Sequence, residues 1–123
     1  MATTVPTDAA LGTGELHVVL AEALRDREVA RRLRQADVAA RVRIGGDAVA
    51  LLLDRDPPAV AQAGPDPAVE LAVTHEDWER FLAGRLPLAV AVAGDHRGPV
   101  RRLLRVMPIV RRLVVEARTR SAR

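Results

Sequence analysis

The feature that most constrains the fold is a pair of alternating apolar segments joined by two glycines. From Val38 to Ile44 the even-numbered residues are all apolar, while Arg41 and Arg43 stand between them. Successive side chains of a strand point to opposite faces of a sheet, so this pattern predicts a half-buried strand. Gly45-Gly46-Asp47 supplies the positive φ of a tight turn. We therefore expect Ala48 to Asp54 to return as the second strand of a hairpin.

The spacing of apolar residues, capping residues and Pro- and Gly-rich stretches predict further elements on either side of this hairpin. Residues 13–35 predict a helix that starts at Thr13 as N-cap and carries Leu16 and Leu20 on its apolar side. The Pro- and Gly-rich segment 55–67 predicts a loop with a short edge strand near Val60. Residues 69–73 alternate again and predict a third strand.

Two short elements follow. Thr74 begins a capping box before Trp78, Phe81 and Leu82, whose spacing of three and four residues predicts a short helix over 75–83. Gly84 stands where a left-handed residue ends a helix. Residues 86–93 alternate, which predicts a fourth strand ending at Gly94-Asp95.

The pattern of the last segment predicts a helix that begins at Pro99 and is broken at Pro108. Val100, Leu103, Leu104 and Met107 share one side, but the same helical wheel extended past Pro108 places Arg111 among the apolar residues. Because a proline removes a hydrogen bond and clashes with the preceding turn, we expect two pieces, 99–106 and 108–118.

Taken together, the order of elements predicts an α+β domain. A tight hairpin followed by a strand, a helix, a strand and a helix favours an antiparallel or mixed sheet of four to five strands with helices packed on one face. The 123 residues suit one domain. We expect a disordered lead over 1–12, the domain over 13–118 and a basic tail over 119–123.

Composition excludes several classes of protein. Apolar residues make up 49% of the chain but aromatic residues only 2%, so the core is expected to consist of Val, Leu and Ala. Cysteine is absent, which excludes disulfides, thiolate metal sites and cysteine nucleophiles. We see no signal-peptide pattern at the start and no apolar run of the roughly 18 residues that span a bilayer. These features favour a cytoplasmic protein.

Positive charge is concentrated at the C-terminal end of the chain. Residues 97–123 contain nine arginines and one acidic residue, Glu116, whereas residues 1–96 contain ten arginines and fifteen acidic residues. Such a basic end fits phosphates, an acidic membrane surface or an acidic partner. A homodimer through the Arg-rich C-terminal helix also stays open. The basic end has no interleaved aromatics and no helix-turn-helix pattern, so we expect no nucleic-acid partner.

Three segments resemble the sterol carrier protein type-2 family of lipid-binding domains. Val38 to Asp54 resembles that family's opening hairpin, and residues 65–85 resemble its strand-then-helix signature, from Pro65-Asp66-Pro67 to Gly84-Arg85. Residues 88–95 and the helix after them resemble its last strand, Gly-Asp turn and closing helix. The likeness spans about 13–115. Only Arg85-Leu86-Pro87 stands where the family has a further helical segment.

The resemblance implies a sheet and helices that enclose a tunnel for sterols, fatty acyl chains or other apolar molecules. It implies binding or carrying of a lipid, a sterol or an apolar biosynthetic intermediate, without a cofactor. The residues that we expect to line the cavity are Trp78, Phe81, Leu82, Leu86, Leu88, Val90, Leu103, Leu104 and Met107. Each of them also fits an ordinary core position.

Catalytic chemistry has few candidates. His17, His75 and His96 do not have a metal-ligand spacing, so no metal is expected. Asp95 and His96 are candidates for acid–base work on a bound apolar substrate. Two alternatives to a carrier therefore stay open. One is a small isomerase or cyclase of an apolar intermediate, and the other is an interaction module that uses the Arg-rich C-terminal helix.

Overall fold

The computed structural model describes residues 10–62, 64, 66–87, 96–97 and 100–122. A π-helical turn at Ala10–Gly14 precedes four α-helices in the described part of the chain. They are α1 (Glu15–Ala23), α2 (Arg27–Arg34), α3 (His75–Leu82) and α4 (Val100–Ser121). The strands are β1 (Ala39–Ile44), β2 (Asp47–Leu52), β3 (Ala59–Ala61), β4 (Val69–Val73) and β5 (His96–Arg97).

The strands form one mixed sheet in the order β3-β2-β1-β4-β5. The predicted hairpin is confirmed, because β1 and β2 pair antiparallel with Ile44 opposite Asp47 and with Gly45 at φ 65°. The edge strand near Val60 is also confirmed and pairs antiparallel with β2. β4 lies on the other side of β1 and is parallel to it, with Val42 opposite Leu71.

The core lies on one face of this sheet. Val42, Val49 and Leu71 point from the three central strands towards the helices and are almost fully buried. Leu16 and Leu20 of α1 and Leu33 of α2 belong to the same buried cluster. The predicted α+β class with helices packed on one face of a mixed sheet is therefore confirmed.

The short aromatic helix forms as its capping residues predict. The Thr74 hydroxyl accepts a hydrogen bond from the Asp77 backbone N–H at 3.0 Å, which satisfies one of the free donors of the first turn. The helix ends at Leu82, and Gly84 adopts φ 77°, which is a left-handed conformation that disfavours other residues. Trp78, Phe81 and Leu82 all face the core.

The single helix predicted over 13–35 is wrong in two respects. Helix α1 ends at Ala23. Asp26 is the N-cap of α2, and its side chain accepts hydrogen bonds from the backbone N–H groups of Glu28 and Val29. Thr13 is not a cap, since it lies buried in the π-helical turn that leads directly into α1. The capping strength of an aspartate therefore outweighs the continuity of the apolar stripe.

The predicted break at Pro108 is also wrong, because α4 runs without interruption from Val100 to Ser121. Its buried residues form one continuous stripe, namely Leu103, Val106, Met107, Val110 and Val114. Pro108 lies on the exposed side, where water can satisfy the carbonyl that loses its donor. Arg111 fits beside the apolar stripe because its Nε donates to the Phe81 carbonyl of α3 at 3.1 Å.

The predicted fourth strand over 86–93 is only partly within the described residues. Leu86 and Pro87 follow α3 outside any strand, and 88–95 lie outside the described part. His96 and Arg97, which follow the predicted end of that strand, pair antiparallel with Leu71 and Glu70. Although Ala10–Gly14 are helical and α4 reaches Ser121, the division into lead, domain and tail stays a prediction.

Candidate functional site

The apolar interior between α3, α4 and the sheet brings together five of the nine residues predicted to line a cavity. Trp78, Phe81 and Leu82 reach it from α3, and Leu103 and Met107 reach it from α4. Leu104 is partly buried and packs against the same cluster. Two helices that are separated in the sequence therefore supply one continuous apolar surface above the sheet. That these residues contact a ligand stays a prediction.

Trp78 and Phe81 form the aromatic part of this interior. Their positions three residues apart place both rings on one side of α3, with ring centroids 5.4 Å apart and planes tilted by 42°. Trp78 is the chain's only tryptophan and is 0% exposed. The two rings are the largest rigid groups in a core that otherwise consists of aliphatic side chains.

The indole N–H of Trp78 has no hydrogen-bond acceptor among the described residues. A buried polar group without a partner costs about 1–3 kcal/mol, so native proteins rarely retain one. The donor lies in a cluster of Val, Leu, Ile and Met side chains, which offer no oxygen acceptor. An oxygen atom of a bound molecule would remove this cost.

Sequence reasoning missed part of the α4 wall. Val106, Val110 and Val114 are buried with the predicted Leu103 and Met107. They follow one another at intervals of four residues along one uninterrupted helix, so a helical wheel drawn straight through Pro108 would have found them. The assumption that proline breaks the helix removed that signal.

The other predicted residues do not join the described interior. Leu86 is half-buried after α3 and is not part of the buried cluster. Leu88, Val90 and Asp95 lie outside the described residues, as does the side chain of His96. Acid–base roles for Asp95 and His96 therefore stay predictions. The described residues contain no group of three His, Asp or Glu side chains placed to hold a metal ion.

An ion-pair cluster that we call the Arg118 bridge joins α1, α3 and α4 at one end of the interior. Nε of Arg118 lies 2.7 Å from Glu15 Oε2, and Nη2 lies 2.7 Å from Glu79 Oε2. The hydrogen bond from Arg118 lowers the pKa of Glu79, and the two carboxylates together raise the pKa of Arg118. The bridge therefore favours the charged forms of Glu79 and Arg118 and ties three helices together.

A surface cleft of about 560 Å³ lies between α1 and the end of α4, beside the Arg118 bridge. Val18, Val19 and Ala117 provide apolar wall, and Val18 is a large apolar side chain that is 67% exposed. Ligand pockets of small molecules commonly have volumes of about 300–1,000 Å³.

In the described part of the chain no helix has the length and apolar character needed to cross a bilayer.

Comparison with known proteins gives similarity in structure without detectable similarity in sequence. No protein-family model matches the chain, and no curated protein matches it. A solved structure of sterol carrier protein 2 from Yarrowia lipolytica, in its apo form, is similar with a TM-score of 0.65 and 10% identity, covering 91% of this chain and 95% of that one. The sterol carrier protein domain 2 of Helicoverpa armigera gives a TM-score of 0.61 and 15% identity, covering 93% and 95%. The chain thus has the fold of these sterol carrier proteins.

Proposed function

We propose that the chain, as one domain over residues 13–118, binds and carries a hydrophobic small molecule in the apolar interior between α3, α4 and the sheet. The ligand is an amphiphile, such as a fatty acid, a sterol or a related biosynthetic intermediate. Its apolar body contacts Phe81, Leu103 and Met107, and an oxygen atom at its polar end accepts the hydrogen bond of the Trp78 indole.

The unpartnered N–H of Trp78 is the observation that carries this proposal. A core that served stability alone would gain from phenylalanine at this position, because phenylalanine brings no donor into an apolar environment. A ligand oxygen gives the donor a function. The same bond selects amphiphiles over pure hydrocarbons, since only the former supply an acceptor.

The fold and the physical character of the interior support the same function. Two structurally similar proteins are sterol carrier proteins by name. Removing apolar ligand surface from water stabilises a complex by about 25 cal/mol per Å². Leu, Val and Met side chains adapt to the shape of a guest, and the flexible thioether of Met107 adapts most easily.

The cleft between α1 and α4 is the route that we propose for the ligand. It lies where α1 meets the end of α4, and it already has apolar walls. The Arg118 bridge crosses its rim and holds α1, α3 and α4 together. Opening this bridge would let α1 and the end of α4 separate without disturbing the sheet.

The fluorescence of Trp78 tests the proposal directly because no other tryptophan contributes. Palmitic acid, 1-hexadecanol and n-hexadecane, delivered from cyclodextrin, have the same chain length but differ in their oxygen acceptors. We expect palmitic acid and 1-hexadecanol to shift the emission to longer wavelength, since an acceptor at the indole N–H stabilises its polar excited state. Hexadecane should bind more weakly and leave the emission wavelength unchanged.

Two variants separate the hydrogen bond from the packing. Trp78→Phe removes the indole N–H donor. Phe81→Leu reduces the aromatic volume of the interior but keeps the Trp78 donor. In native mass spectrometry we expect Trp78→Phe to lose its preference for palmitic acid over hexadecane and Phe81→Leu to retain it. A protein that binds none of the three probes, or binds all three equally well with an unchanged Trp78 spectrum, would contradict the proposed function.

A further inference from the structure

Almost every described arginine outside α4 has an acidic partner. Among the arginines outside α4 whose side chains the structure describes, Arg27 and Arg85 are the exceptions, and each lies exposed without an acidic partner. The partnered arginines form pairs within a helix, between strands or between neighbouring residues. These pairs are Arg25–Glu22, Arg31–Glu28, Arg32–Glu28, Arg34–Asp37, Arg41–Glu70, Arg43–Glu70, Arg55–Asp54, Arg80–Glu76 and Arg80–Asp77.

The outward side of α4 is different. Arg101, Arg105, Arg112 and Arg120 are exposed, and none of them has an ion-pair or hydrogen-bond partner in the described structure. Glu116 is four residues from both Arg112 and Arg120 and pairs with neither. The other arginines of this helix are engaged, because Arg102, Arg111 and Arg118 bind carbonyl or carboxylate oxygens of other elements.

Three of these free arginines lie in one line, which we call the arginine stripe. At 3.6 residues per turn, Arg101, Arg105 and Arg112 fall within about 40° of one another on the helical wheel. They point away from the buried stripe, and the exposed Pro108 lies between them. The line is about 16 Å long at about 1.5 Å per residue. It is an exposed basic ridge along one side of α4.

The shape and chemistry of the ridge favour a planar anionic surface. Like charges at a spacing of four residues repel each other, so an unoccupied stripe weakens the helix slightly. The stripe offers only guanidinium groups and a proline, with no aromatic ring for base stacking and no Asn or Gln for reading bases. Binding to a layer of anionic headgroups requires neither a groove nor contacts to bases. Basic side chains and anionic headgroups attract each other when they are within about a Debye length.

We infer that the arginine stripe, with Arg120 beyond its end, docks the protein on a membrane surface rich in anionic lipid. The choice of a lipid surface over other polyanions rests on the proposed function, because a carrier of amphiphiles has to meet the bilayer from which it takes them or to which it delivers them. The stripe lies opposite the apolar interior on the same helix, so docking leaves the bound molecule in the core.

Vesicle co-sedimentation of the full chain tests this inference. The probes are vesicles of pure phosphatidylcholine and vesicles in which about a third of the lipid is phosphatidylserine, a composition that imitates an anionic leaflet. The test variant is Arg101→Gln/Arg105→Gln/Arg112→Gln. Its matched control is Arg31→Gln/Arg32→Gln/Arg34→Gln, which removes the same number of charges from the ion-paired arginines of α2.

We expect the wild-type chain and the α2 control to bind the anionic vesicles and the α4 variant to bind roughly 100-fold more weakly, about fivefold for each charge removed. Binding of the wild type should fall with added salt and be absent on phosphatidylcholine. Equal losses in both triple variants would overturn the inference, because net charge alone would then explain binding. Tighter binding to duplex DNA than to anionic vesicles would overturn it as well.

The failure of this inference is distinguishable from failure of the proposed function. The α4 variant keeps Trp78, so its response to palmitic acid is measured on the same sample. An intact Trp78 response with no wild-type vesicle binding would overturn docking and leave the carrier function standing. Vesicle binding that depends on the arginine stripe in a protein without any Trp78 response would support docking and overturn the carrier function.

Discussion

The two arginine-rich helices, α2 and α4, differ in how their arginines are partnered, because on α2 every arginine except Arg27 pairs with a nearby carboxylate. Glu28 holds both Arg31 and Arg32 on the surface of α2, and Arg34 pairs with Asp37 just beyond the end of that helix. On α4, by contrast, the arginines either reach other elements, as Arg118 does, or remain free on the outward side. Arginine content therefore does not indicate how much positive charge a surface presents.

The difference follows from where the acidic residues stand. α2 carries its carboxylate three and four residues before two arginines, an order that favours pairing along a helix. α4 has only Glu116 among seven arginines, so most of its guanidinium groups need acceptors from elsewhere. Those that face α1 and α3 find them. The outward arginines meet only solvent in the described structure.

The largest expected effect on stability comes from the Arg118 bridge. Arg118→Met leaves Glu15 and Glu79 close to each other without their shared cation. Losing one partner of a buried pair costs about 3–5 kcal/mol and losing an exposed one about 0–1, so we expect about 2 kcal/mol for this half-buried cluster. Urea unfolding measures the change. Arg112→Met on the same helix is the control, and equal destabilisation of both variants would contradict the distinction between engaged and free arginines.

The contact of Arg111 with α3 should give a smaller effect. Arg111→Met keeps the aliphatic stem against the apolar stripe but leaves the Phe81 carbonyl without this donor. A hydrogen bond from a charged donor contributes about 1.5–3 kcal/mol, and since water reaches this half-buried site we expect about 1 kcal/mol in urea unfolding. No loss of stability would show that water replaces Arg111 fully at the end of α3.

Acid should weaken the bridge through Glu79. Hydrogen bonding from Arg118 lowers the pKa of Glu79 in the folded protein below its unfolded value of about 4.3. The stabilising contribution is therefore present above about pH 4.3 and is lost as the pH falls through the folded pKa. We expect the stability difference between wild type and Glu79→Gln to be largest at neutral pH and to shrink in acid, as urea titrations at several pH values would show. A difference independent of pH would contradict this linkage.

The smallest effect is expected on α2. Glu28→Gln removes the carboxylate that holds Arg31 and Arg32, whose hydrogen bonds lower the pKa of Glu28. These side chains are well exposed, so solvent screens their attraction and the urea midpoint should barely move. In the vesicle assay, however, Glu28→Gln frees two arginines on α2. Stronger binding to anionic vesicles would show that any unpaired arginine pair docks equally well, which would weaken the case for the arginine stripe.

Several features of the fold are predictable because they depend on residues within a few positions of one another. The hairpin turn at Gly45-Gly46 needs only positive φ between two alternating segments. The helix between Thr74 and Gly84 needs only its two end signals and the spacing of Trp78, Phe81 and Leu82. Five residues of the candidate interior were predictable for the same reason, since helical spacing alone shows which side of α3 and α4 is apolar.

Tertiary structure decided the rest, because these features depend on how distant elements dock. Nothing local to β1 shows that β4 will lie parallel beside it. The continuity of α4 through Pro108 follows from the core on one side and solvent on the other. The Arg118 bridge joins residues 103 and 39 positions apart in the sequence. The sequence by itself determined the hairpin, the helix between Thr74 and Gly84 and the ion pairs three or four residues apart. Packing determined which charges distant in the sequence pair, and that the Trp78 indole meets no acceptor among the described residues.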